Sequence, residues 1–312
     1  MRVTRTIRNI ALGLVFGFLV AACGEDATGE GPLAGQEFTI GTKGFTEHFI
    51  LAQMTRHRLE DAGASVDVRD LPATAQVRKA LLNDEIQLYW EYTGTAWTNF
   101  LGHDSVDPNV DPGELYQQVA ADDLEENGVR WMEPATFNNT YAIVMGQEVA
   151  EDLGVTTLSE LAELQQPREA DMTLCVDTTF AEREDGLAAV ERTYDFEWPR
   201  ELVTSMDYAI VFASVAEGEC NFGEVYATEP RIEELDLVIL EDEANAFISY
   251  LPAITMLDET YQESGRQIEE LVAPIVERLD TETIIGLNAR VDLDGQRAED
   301  VAQDWLEEEG LL

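Results

Sequence analysis

Apolar and polar positions alternate along most of the chain in short runs whose period switches between two and about 3.6 residues, the pattern of strands interleaved with helices. The first run, over residues 37–42, predicts a strand. Residues 46–62 follow as a helix that would place Phe49, Ile50 and Met54 on one face. A strand over 65–71, a helix over 75–83 and a strand over 86–92 complete a strand-helix-strand-helix-strand opening, which favours an α/β layered fold. The alternation resumes with strands over 140–146, 172–176 and 221–226, separated by helical segments such as 208–216, as expected of a second lobe. The chain returns through apolar runs at 237–240 and 247–256 and ends in helices over 259–279 and 298–309. No internal repeat or low-complexity block interrupts this order.

The first 22 residues break the pattern. Arg2, Arg5 and Arg8 precede an unbroken small and apolar run from Ile10 to Ala22, the layout of a secretory signal and too short to span a bilayer. The run ends in Leu19-Val-Ala-Ala-Cys23, which resembles the lipobox of bacterial lipoproteins. That resemblance implies cleavage before Cys23 and lipidation of its thiol, with residues 23–36 as a Gly- and acid-rich tether. The protein is therefore expected outside the cytoplasm, held to the membrane through Cys23. In an oxidising compartment the remaining even pair, Cys175 and Cys220, reads most economically as a disulfide, with two buried free thiols as the alternative.

With 312 residues the chain is long enough for two lobes with separate cores. Its net charge of -44 becomes -47 without the three leader arginines, leaving 16 basic residues against 63 acidic ones. Such a surface repels phosphate, so nucleic acid is excluded as a partner. It also suits high external salt, which screens self-repulsion, although lineage composition gives the same bias. The only lysines are Lys43 and Lys79. His48, His57 and His103 form no metal-ligand spacing with the cysteines, and neither a metal nor a cofactor is expected. There is no Gly-x-Ser-x-Gly or His-Glu-x-x-His motif, so a secreted hydrolase is the weaker alternative and the chain is expected not to be an enzyme.

Five blocks carry a more specific signal. They are Gly41-Thr-Lys-Gly-Phe-Thr-Glu-His-Phe-Ile-Leu-Ala-Gln-Met54, Leu88-Tyr-Trp-Glu-Tyr-Thr-Gly-Thr95, Phe137-Asn-Asn-Thr-Tyr-Ala142, Phe180-Ala-Glu-Arg-Glu-Asp-Gly-Leu187 and Phe222-Gly-Glu-Val-Tyr-Ala-Thr-Glu-Pro-Arg-Ile232. In content and order they resemble the substrate-binding proteins of glycine betaine, choline and carnitine ABC importers. The resemblance implies a two-lobed periplasmic-binding-protein fold of type II, with ligand in the cleft between lobes that close by hinge motion. It implies a discontinuous first lobe, 37–138 with 248–312, a second lobe over 139–247, and hinge crossings near Asn139 and Phe247. The implied partners are a small quaternary ammonium solute, an ABC permease and its ATPase subunit.

A trimethylammonium group has no N–H donor, and a buried carboxylate facing it would cost heavily in desolvation. Aromatic faces hold it instead, at about 0.5 to 2 kcal/mol per ring. Carried over residue by residue, the resemblance assigns such a cage to Tyr92, Tyr141, Tyr226 and Tyr250. A betaine also carries a carboxylate, which needs positive charge and donors. Lys43, in the turn before the first helix, and Arg183 are the implied partners, with the Thr95 hydroxyl beside them. This pair favours glycine betaine or a related osmoprotectant over choline, with choline or carnitine as the alternative preferred ligand, while an amino acid or polyamine would call for carboxylates. His48 stands where the related proteins usually have glutamine and is a candidate pocket residue, although a histidine there is equally compatible with plain packing.

Overall fold

The computed structural model describes residues 31–71, 73–103, 110–164 and 171–312. The leader, Cys23 and most of the tether lie outside them.

Among the described residues, ten strands form two five-stranded mixed sheets, one for each lobe. The first sheet runs β2-β1-β3-β10-β4, from Ser65–Asp70, Glu37–Thr42, Leu88–Tyr92, Pro252–Leu257 and Val129–Trp131. The second runs β7-β6-β8-β5-β9, from Val203–Met206, Leu174–Asp177, Phe222–Tyr226, Tyr141–Gly146 and Leu237–Leu240. Strands β3 and β5 are rich in aromatic and β-branched residues, and β3 is buried along its whole length between β1 and β10. The remote β10 enters the first sheet antiparallel to β3, pairing Pro252 with Tyr92, after the chain has built all of the second sheet. The first sheet is therefore assembled from two separate stretches of chain.

The helix Thr46–Asp61 packs with Arg266–Val276, Thr281–Asp292 and Ala298–Glu308 on the first sheet. Their core joins Ile40, Ile50, Met54 and Trp90 to Ile284 and Leu306. The structure adds elements that the pattern did not single out, among them the helix Pro112–Asn127 and strands β4 and β7, and two further features bear on the junction. The apolar run 247–256 is a partly buried loop up to Leu251 and a strand from Pro252, because the loop's backbone groups bond to Asn138, Asn139 and Thr140 of the crossing and to Thr93. The helix Thr281–Asp292 is an element the pattern did not single out; Asp280 caps it by accepting from Thr283 N–H.

The two crossings hold each other. Tyr250 N–H donates to the Asn138 carboxamide at 2.7 Å, Asn139 N–H to the Tyr250 carbonyl at 3.2 Å, and the Thr140 hydroxyl to the Ile248 carbonyl at 3.1 Å. Polar groups at the junction are thus satisfied by one another, which fixes the phase of one lobe against the other.

Cys175 on β6 and Cys220, just before β8, form a disulfide with Cα atoms 5.9 Å apart. It closes a separation of 45 residues within the second lobe. In the chain-entropy account such a loop contributes up to about 4 kcal/mol. Replacing both cysteines by alanine is expected to lower the urea midpoint by the equivalent of about 2–4 kcal/mol; an unchanged midpoint would show that the crosslink does not limit the unfolded chain.

Candidate functional site

The site is built at the ends of strands that point toward the junction. Tyr92 closes β3, Tyr141 opens β5 and Tyr226 closes β8. Tyr141 and Tyr226 are register partners across the antiparallel β5–β8 pair, so their rings leave the same face side by side, centroids 5.4 Å apart. Tyr250 comes from the returning crossing and meets Tyr141 edge-on at 5.7 Å. The Tyr250 ring also lies against Gly94, where a Cβ would come within 2.6 Å of it. The glycine of Tyr92-Thr-Gly-Thr95 therefore makes room for a ring contributed from 156 positions further on. Thr93 fixes that approach, its hydroxyl donating to the Ser249 carbonyl at 2.8 Å and accepting from Leu251 N–H at 3.0 Å.

These rings surround a cavity of ≈ 60 Å³ lined by Lys43, Phe45, Thr74, Tyr92, Thr95, Asn139, Tyr141, Arg183, Tyr226 and Tyr250. A single water needs about 10–15 Å³ by this measure, so the space suits one compact group of several heavy atoms. All seven residues that the sequence assigned to the cage and the carboxylate are on its wall. Phe45, Thr74 and Asn139 were not assigned. Phe45, 6.2 Å from Tyr92 and 6.1 Å from Tyr226 between ring centroids, adds a fifth aromatic face. It stands inside the first block, and its signal was an aromatic side chain at the start of a helix, where a capping Ser, Thr or Asp is usual.

Burial pushes the phenols of Tyr92, Tyr226 and Tyr250 well above their ordinary range and that of Tyr141 up as well, with Glu47 adding to Tyr92 and Asp185 to Tyr250. The rings stay neutral, and their electron-rich faces are what the cavity offers.

Positive charge enters from two sides. Lys43 Nζ lies 5.1 Å from the Tyr92 centroid and 2.6 Å from Glu91 Oε1, both side chains buried. Burial pushes the Lys43 ammonium down and its pairing with Glu91 opposes this. Arg183 sits 5.8 Å from the Tyr141 centroid and forks onto Asp185, its Nε donating to Oδ1 at 2.6 Å. Asp185 in turn accepts from the Tyr250 hydroxyl at 2.6 Å and from Thr98 at 3.1 Å. Each cation is thus held by an acid that the sequence did not single out, because 63 acidic residues hide the few that are buried.

His48 is placed one layer behind the wall rather than on it, fully buried. Its Nδ1 accepts from Lys43 N–H at 3.0 Å and lies 2.9 Å from the Thr42 hydroxyl, so Nε2 carries the proton and donates to the Trp90 carbonyl at 2.7 Å. A carboxamide has the same acceptor-and-donor pair, which explains why glutamine suits this position. The imidazole sets the Lys43 turn and does not face the cavity. Burial, reinforced by the Lys43 charge, lowers its pKa to about 3. The unfolded chain takes up that proton below about pH 6.5 and the folded chain does not, so this group destabilises as pH falls from there toward 3. Glu47, pushed up by burial, has the opposite sign. The measurement is therefore a difference: between pH 6 and 4 the parent should lose about 1.4 kcal/mol per pH unit more than His48→Gln in urea unfolding. Parallel pH profiles would place a proton on the folded imidazole.

Two α/β lobes around an aromatic, polar-rimmed cavity at their junction define a solute-binding protein of the periplasmic type. A family model described as the substrate binding domain of ABC-type glycine betaine transport systems matches residues 36–308. The glycine-betaine-binding protein of Pseudomonas aeruginosa is 34% identical over 278 residues, covering 88% of each chain. The glycine betaine-binding protein YehZ of Escherichia coli is 30% identical over 278 residues, covering 87% of this chain and 90% of its own. The apo YehZ structure superposes with a TM-score of 0.68 at 29% identity, over 89% of this chain and 100% of that one. The chain belongs to this family of substrate-binding components of ABC importers. It works outside the cytoplasm with a permease and an ATPase, and it binds a small solute rather than transforming one.

Proposed function

We propose that this chain binds glycine betaine, its trimethylammonium head among Tyr92, Tyr141, Tyr226, Tyr250 and Phe45 and its carboxylate toward Lys43, Arg183 and Thr95. The observation that carries this reading is the single cavity on which both cations and five aromatic rings from the two lobes converge. A lysine has three donors and a guanidinium five, so each has donors to share with an anion beyond its acidic partner. Ligand closes the cleft, and the closed form docks on the permease. The lobes comprise 37–138 with 248–312, and 139–247, and Cys23 carries the lipid that keeps the protein at the membrane.

Choline is the second reading, favoured by one observation: Glu91 and Asp185 already neutralise Lys43 and Arg183. Isothermal titration of the chain with glycine betaine, carnitine and choline separates the two. Tight one-to-one binding of betaine over choline supports the carboxylate role; preference for choline assigns Lys43 and Arg183 to the acids alone. No heat with any of the three, in a folded sample, would sink the quaternary ammonium assignment.

A further inference from the structure

Glu47 is buried at the base of the site, 2% exposed, and it was not needed to account for the cage. Its Oε1 accepts from the Tyr92 hydroxyl at 2.7 Å and from the Asn139 carboxamide at 2.8 Å. Its Oε2 accepts from the Thr228 hydroxyl at 2.8 Å. The three donors come from three places: the end of β3, the first crossing, and the turn after β8 in the second lobe. Thr228 is held a second time, because Asn288 donates from its side chain to the Thr228 carbonyl at 3.1 Å. Asn288 belongs to the helix Thr281–Asp292, which packs against the helix that carries Glu47. One threonine of the second lobe is therefore gripped through side chain and backbone by two residues of the first.

We infer that Glu47 is a positioning residue that couples the cage to lobe closure: one carboxylate oxygen orients the Tyr92 ring, and the other, with Asn288, clasps Thr228 and holds the cleft shut. The chemistry suits this task. A carboxylate buried among donors accepts several short hydrogen bonds at once, and the one from Thr228 exists only when the lobes are together. Opening the cleft takes away the Thr228 donor and admits water to the acid, which loosens its hold on the Tyr92 ring, so the two events are linked. Glu47, Thr228 and Asn288 also line a larger cavity of ≈ 290 Å³, which shares Phe45, Asn139 and Tyr226 with the cage wall. The clasp is thus set between the cage and an interlobe space that widens when it lets go.

The ligand assignment above underlies the cage half of this inference, so the deciding readout requires no ligand. Small-angle scattering of the full chain should give a larger radius of gyration for Thr228→Val than for the parent, with Thr228→Ser restoring the parent value. Valine keeps the shape and removes the hydroxyl, and a melting temperature close to that of the parent would show that the fold is intact. With glycine betaine as the probe, Thr228→Val should dissociate about tenfold faster at an unchanged association rate, the loss expected for one hydrogen bond to a charged group. Glu47→Gln, whose amide nitrogen must face one of the three donors, should act in the same direction. If glycine betaine does not bind the parent and the scattering series behaves as expected, the ligand reading fails and the clasp stands. A Thr228→Val radius equal to that of the parent overturns the clasp.

Discussion

Replacing Tyr141 by leucine is expected to raise the Kd for glycine betaine by about 30-fold, the equivalent of about 2 kcal/mol for one desolvated cation-π contact. Tyr141 is the ring to choose because it touches four other rings: Tyr226 and Tyr250 on the cage side, and Phe180 and Phe247 behind. Leucine keeps an apolar side chain over Phe180 and removes the aromatic face together with the hydroxyl. Tyr141→Phe keeps that face and should bind within a few-fold of the parent. Titration calorimetry of the three chains checks this. Equal losses in the phenylalanine and leucine variants would mean that the hydroxyl, and not the ring, carries the contact.

The second large effect concerns selectivity. Arg183→Gln made together with Asp185→Asn should weaken glycine betaine by about 10- to 100-fold, the range of about 1.5–3 kcal/mol for charge-assisted hydrogen bonds, and should change choline by only a few-fold. The double change is needed because Asp185 is buried and shared by Arg183, Tyr250 and Thr98. Removing the arginine alone would leave a desolvated carboxylate without its cation, at a cost to the fold itself. Asparagine still accepts from Tyr250 and Thr98. Competition calorimetry with the two ligands reads the ratio directly. Parallel losses for both ligands would place Arg183 in the wall through Asp185 and take it out of carboxylate recognition.

These outcomes depend on a site whose members were legible in different ways. Tyr92, Tyr141, Tyr226, Lys43, Arg183 and Thr95 were readable because each sits inside a block whose neighbours mark it, whereas Tyr250 lies outside the five blocks and rested on the resemblance alone; the structure brings all seven to one cavity. Phe45 was in plain view in the first block and was not assigned. Glu47, Glu91 and Asp185 could not be picked out, since burial is what distinguishes them and composition says nothing about burial in so acidic a chain. His48 was readable as unusual but not as hidden. Its place behind Lys43 follows from hydrogen bonds to Thr42, Lys43 and Trp90, groups far apart on a helical wheel or a strand ladder.

The sequence by itself determined the local elements, because hydrophobic period and turn chemistry act over a few residues. It also determined the class of chemistry, because a chain with two lysines and tyrosines set in marked blocks limits what a buried pocket can hold. Tertiary structure alone decided the rest. The insertion of β10 beside β3 brings Tyr250 over Gly94, and the β5–β8 register sets Tyr141 beside Tyr226. The packing of the helix Thr281–Asp292 carries Asn288 to Thr228. Each of these contacts joins residues about 60 or more positions apart, or on separately built strands, and their free energy exists only once both lobes have formed and water has left the junction between them.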